Sequence, residues 1–139
     1  MFKNILLVTD NAIHSLHAAR EAGNMARAMN ASQFCVAIIY PPIPRFLGET
    51  MVESVAIARI TESEATAQAM CKELGHLPCK VDVEILEGSN HAIPDLCETR
   101  HFDLIAMAAP SLGTFAHLFH SDLTEKVVHK AKCPVLVVR

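Results

Sequence analysis

Residues 103–139 read DLIAMAAPSLGTFAHLFHSDLTEKVVHKAKCPVLVVR, and the fold turns on how that stretch divides. Leu104–Ala108 and Val135–Val138 are short apolar runs with no polar interruption. Such runs belong to parallel strands covered on both faces. Between them the spacing predicts a long loop and then a helix opening near Ser121 and Asp122, since Asp is favoured at an N-cap or in a first turn. A strand that feeds a loop and then a helix N-terminus gathers backbone N–H groups and the positive helix end in one place. That geometry can hold a phosphate.

The rest of the chain repeats the strand–helix rhythm. Ile5–Val8 is a third apolar run, closed by Thr9, Asp10 and Asn11. From about Ser15 to Met29, Leu16, Ala19, Gly23, Ala26 and Met29 recur at helical spacing, and Asn30 is placed to stop the helix. Phe34–Tyr40 reads as a strand ended by Pro41, Pro42 and Pro44. The Pro41–Thr50 segment is a loop, with Phe46 and Leu47 expected to pack beneath it. A helix from about Met51 to Leu74 carries Ile60, Ala67, Met70 and Leu74 on one stripe, with Gly75 just past its end. Lys80–Leu86 alternates apolar and charged residues, the pattern of an edge strand. Gly88-Ser89-Asn90 turns into a short helix from about Ala92 to Arg100. Strict alternation of this kind predicts a three-layer α/β/α domain on a five-stranded parallel sheet with right-handed crossovers and a doubly wound strand order.

Composition narrows the function. A chain of 139 residues suffices for one domain with one core, and 51% apolar against 19% charged residues fits a packed domain. A net charge of −3 with no Lys/Arg cluster argues against a nucleic-acid surface. Ile5–Val8 is too short for a signal peptide or a membrane span, so a cytoplasmic protein with no membrane insertion is expected. Five cysteines is an odd number, none in CxxC spacing, and they read as buried reduced thiols. His117 and His120 stand three apart in the long loop but lack an evident third ligand, so no metal is expected. His14 and His17 are expected on the exposed side of the first helix. No Ser or Cys near the strand ends has a His placed by a motif, so no catalytic residue is assigned.

Four pieces in register resemble the universal stress protein family: ILLVTD at Ile5–Asp10, the Pro-interrupted loop after the second strand, DLIAMA at 103–108, and EKVVHKAKCPVLVVR at 125–139. The resemblance spans the chain. It implies the strand order 3-2-1-4-5 of the adenine nucleotide alpha hydrolase-like fold, a homodimer, and a nucleotide crevice between strands one and four. The same crevice follows from topology, because ligands bind at the carboxyl ends of strands where the winding reverses. By resemblance Asp10 helps hold adenine or ribose, with Val8, Thr9 and Ile39 lining the base pocket and Met107 and Ala108 ending the fourth strand. An Asp ending a strand also serves as a helix cap or a partner for loop amides.

Nucleotide-binding members carry three glycines and a Ser or Thr hydroxyl after that fourth strand. Here the glycine positions fall on Ala108, Ser111 and Ser121, and the hydroxyl position on Asp122. Glycine lets backbone approach a phosphate closely, and Asp122 sets a carboxylate where the anion would sit. Gly113, His117 and His120 could offset part of the loss. The expectation is a small cytosolic stress-response regulator without tight ATP binding and with no cofactor. The alternative is an ATP/ADP-binding nucleotide switch or slow ATPase that tolerates the altered loop. The final strand, Val135, Leu136, Val137 and Val138, is an apolar edge expected to pair with its copy in a homodimer. An unidentified protein partner remains compatible with either reading.

Overall fold

β1 (Asn4–Asp10) runs through the middle of the sheet, and its burial explains the uninterrupted apolar run: Ile5, Leu6, Leu7 and Val8 are all essentially inaccessible. A computed structural model of the chain describes residues 1–11, 16–108 and 123–139. The elements that follow are α1 (Leu16–Ala28), β2 (Gln33–Tyr40), a 3₁₀ turn (Arg45–Leu47), α2 (Glu49–Leu74), β3 (Val81–Glu87), α3 (Ala92–Arg100) and β4 (Leu104–Ala108). After them come α4, described over 123–130, and β5 (Val135–Val138). The sheet order is β3-β2-β1-β4-β5 and every pairing is parallel, which bears out the expected order.

The two faces of the sheet carry separate cores. Ile5 and Leu7 of β1 pack with Ala19, Ala22 and Ala26 of α1 and with Ala67, Met70 and Leu74 of α2. Leu6 and Val8 face the other way, onto Ile93 of α3 and Val127 of α4. Side chains alternate across a strand, so a strand covered on both sides must be apolar at every position.

The Asp103 carboxylate fixes the start of β1 against β4. It accepts the Lys3 N–H at 3.0 Å and the Asn4 N–H at 3.0 Å, while its own N–H donates to the Asn4 carbonyl at 2.8 Å. Asn30 ends the segment after α1 at φ 52°, as its position in the sequence suggested, because Asn tolerates the left-handed region. Gly75 follows α2 at φ 71°. There the last α2 carbonyls have an unexpected partner: Arg27 Nη1 donates to Leu74 O at 2.7 Å and to His76 O at 3.1 Å.

Four details differ from the sequence reading. Leu16 is 41% exposed, and the buried face of α1 is instead small: Ala18, Ala19, Ala22, Gly23 and Ala26. Ile60 is also on the exposed side of α2, whose buried residues are Ser63, Thr66, Ala67, Met70 and Leu74. α2 starts two residues earlier than expected, and none of Glu49–Glu62 is buried, so the first half of the helix adds no residue to the buried core. Phe46 is 88% exposed and so does not underlie the proline loop. Glu87 does that work: its carboxylate accepts the Ile43 N–H at 3.1 Å and Arg45 Nη2 at 2.7 Å.

Candidate functional site

The carboxyl ends of β1 and β2 open into a crevice of about 930 Å³, within the range of small-molecule sites. Asp10 and Asn11 form its β1 wall, Ile39 and Tyr40 its β2 wall, and Gly88 to His91 its side toward α3. α2 contributes Arg59 and Glu62, and α4 contributes Leu123 and Lys126. The register sets Asp10 level with Ile39, so the acid and the apolar side chain meet at the same depth.

Gly88 is needed for the backbone to pass so close to β2. Its N–H donates to Tyr40 O at 2.7 Å, and a Cβ there would lie 3.1 Å from the same oxygen and 3.4 Å from Pro42. Glu87, next to it, is held below the usual carboxylate range, first by the Ile43 N–H and then by Arg45. The proline loop is thereby pinned to the end of β3.

A polar network holds α2 over the crevice. Asn11 Nδ2 donates to Ser63 Oγ at 3.0 Å, and Thr66 Oγ1 donates to Asn11 Oδ1 at 2.9 Å. Ser63 Oγ in turn donates to Arg59 O at 2.8 Å. Ser63 is fully buried and Thr66 nearly so, and buried polar groups need such partners to avoid a desolvation penalty of about 1–3 kcal/mol each. The network places Arg59 and Glu62 one turn from the anchor. No hydrogen bond or ion pair engages the Arg59 guanidinium among the described residues, so it is available to an anion in the crevice.

Of the residues that sequence reading assigned to the site, Asp10 and Ile39 line the crevice. Val8, Thr9, Met107 and Ala108 are buried beneath it, Val8 and Met107 within the core shared with α3 and α4. Ser111, Ser121 and Asp122 lie outside the described residues, as do Gly113, His117, His120 and His14. His17 is exposed, as expected. Sequence reading missed Asn11, Arg59, Glu62, His91 and Lys126. Asn11 could have been found as the polar residue following Asp10; Arg59 has no local signal, because only the long crossover brings α2 over the strand ends.

Among the described residues, no cluster of three or more His, Cys, Asp or Glu side chains could hold a metal ion, and no helix is long and apolar enough to cross a membrane.

The profile described as "Universal stress protein family" matches residues 1–139. A universal stress protein from Thermus aquaticus, described by its position in the 3′ region of a sulfhydrylase gene, is 37% identical over 141 residues, covering 100% of both chains. Among solved structures, a universal stress protein from Lactobacillus plantarum superimposes with a TM-score of 0.78 at 20% identity, covering 100% of this chain and 99% of that one. Another universal stress protein, solved in complex with cAMP, gives a TM-score of 0.65 at 22% identity, covering 99% and 97% of the two chains.

Proposed function

Because the chain belongs to the universal stress protein family, we propose that it is a stress-response regulator that works as a homodimer without tight ATP binding. The observation that carries this reading is the sequence from the last residue of β4 onward, where Ala108, Ser111, Ser121 and Asp122 stand in place of the family's three glycines and hydroxyl. By register with the family's pattern, Asp122 brings a carboxylate to the position that carries a hydroxyl in nucleotide-binding members, and that charge opposes a triphosphate. Calorimetric titration with Mg-ATP at neutral pH tests it. Binding in the range of about 0.1–1 mM or weaker is expected; a Kd near 1 μM, about −8.2 kcal/mol, would overturn the reading.

A second reading is favoured by the crevice itself. A volume of about 930 Å³ with Asp10, Ile39, Arg59 and Lys126 in its walls can admit a nucleotide, and one neighbour of the same fold was solved with cAMP. In this reading the protein is an ATP- or ADP-binding switch or slow ATPase, or takes a nucleotide with fewer phosphates. Titrating AMP, cAMP and ATP side by side separates the two: a penalty from Asp122 grows with phosphate charge, so AMP and cAMP should be affected less than ATP.

The homodimer rests on β5. That strand pairs with β4 on one side and ends the sheet on the other, and Val137 is 40% exposed. An unpaired apolar edge favours pairing with an identical edge across a two-fold axis. Val137→Lys, a charge on an edge, should convert a dimer into a monomer in sedimentation velocity. A variant that sediments as wild type would place any interface elsewhere.

A further inference from the structure

Spacing in the sequence gives no hint that any two cysteines are neighbours, yet the fold brings two together. Cys97 is on α3 and Cys133 in the turn between α4 and β5. Both pack against the same apolar core and both line one cleft of about 300 Å³ on the α3–α4 face of the sheet. Phe102, Ile105 and Val127 form the apolar part of that cleft; Glu98, Lys130 and Lys132 also line it and are exposed. Within that cleft the two thiols are near enough that each shifts the other's ionisation. Both thiols are free and half-buried. The other cysteines are placed differently: Cys35 is fully buried in β2, and Cys71 and Cys79 pack on the opposite face.

We propose that Cys97 and Cys133 form a reversible dithiol–disulfide site that exchanges with low-molecular-weight disulfides entering this cleft. A cleft open to solvent admits the small disulfide, and a second thiol in the same cleft resolves the mixed disulfide before a reductant can. The Cys133 thiolate attacks one sulfur of the small disulfide, whose S–S bond breaks and releases one small thiolate. The Cys97 sulfur then attacks Cys133 Sγ, the mixed S–S bond breaks, and the second small thiolate leaves. The two protein thiols lose two electrons and two protons; the small disulfide gains them and departs as two thiols.

The order of attack follows from how deeply each thiol is desolvated. Burial pushes Cys97 up to about 12, the larger of the two shifts, so Cys133 is the first to ionise and attack. Burial and the Asp103 carboxylate still raise Cys133 above the ordinary thiol value, so exchange is slow at neutral pH. Its rate should rise about tenfold per pH unit until Cys133 ionises, because the thiolate is the nucleophile. This proposal is independent of what occupies the crevice, although the bond would enclose all of β4 and α4 in one covalent loop.

The test uses the full-length reduced protein incubated with oxidised glutathione, followed by intact mass under denaturing conditions and peptide mapping. The expected product has lost two hydrogens, carries no glutathione, contains one peptide pair joining Cys97 to Cys133, and reverts with dithiothreitol. Cys97→Ser should stop at a glutathione adduct on Cys133. The double variant Cys71→Ser with Cys79→Ser should still form the disulfide at the wild-type rate. A stable adduct on wild type, a disulfide through Cys71 or Cys79, or unmodified thiols at 97 and 133 would each overturn the proposal.

Discussion

Gly23→Val is expected to destabilise the protein by about 2–3 kcal/mol, the scale of overpacking a well-filled core, and to lower its unfolding midpoint by roughly 8–12 °C. Gly23 sits in the middle of α1, where glycine ordinarily costs about 0.5–1 kcal/mol relative to alanine. Its presence therefore needs a reason. A Cβ there would lie 2.8 Å from Leu74 O and 3.4 Å from Leu74 Cα, both backbone atoms at the end of α2. Leu74 O cannot turn aside cheaply, because it already accepts Arg27 Nη1 at 2.7 Å. A larger side chain must push the two helices apart and disturb the Ala19, Ala22 and Ala67 contacts beneath them. Gly23→Ala should come out milder, at about 0–1 kcal/mol, since its helix propensity gain opposes the clash. Thermal and urea unfolding of both variants measures this. A valine variant that melts within about 2 °C of wild type, well under the shift expected for 1 kcal/mol, would mean that the contact is not tight.

Strand existence and order were legible because burial on both faces leaves a one-dimensional mark: Ile5-Leu6-Leu7-Val8 has no polar residue to place outward. Asp10 was legible for a related reason, being the first acid at the end of such a strand. Helix faces were harder. Periodicity ranked Leu16 above Ala18 and Ala22, but the space between α1 and its neighbours admits only small side chains, and packing volume leaves no signature in a hydrophobic pattern. In α2 the buried face includes Ser63 and Thr66, polar residues that an apolar stripe does not pick out and whose partner, Asn11, lies on another element. Arg59 and the Cys97–Cys133 pair depend wholly on topology: each lies far in sequence from the groups it meets. The phosphate loop is the reverse case. There the signal is residue identity alone, at Ser111, Ser121 and Asp122, which lie outside the described residues.

Ser121→Gly combined with Asp122→Ser should strengthen Mg-ATP binding by between roughly fivefold and nearly a thousandfold. The range follows from electrostatics. Two like charges about 4 Å apart repel by about 1 kcal/mol in water and about 4 kcal/mol at the effective dielectric near a protein surface, and each 1.4 kcal/mol is about a tenfold change in affinity. Serine at 122 removes the repulsion and restores a hydroxyl donor; glycine at 121 restores backbone freedom beside it. The single variant Asp122→Asn isolates the charge, because it keeps the shape of the side chain while removing the carboxylate. If charge dominates, Asp122→Asn alone recovers most of the gain, and the gain shrinks at high salt, where exposed charges are screened. If backbone access dominates, Ser121→Gly alone carries the improvement and salt has little effect on it. Unchanged affinity in the double variant would sink the idea that this loop excludes the triphosphate. The cause would then lie with the described walls of the crevice, where Glu62 of α2 and Asp10 of β1 are the remaining acids.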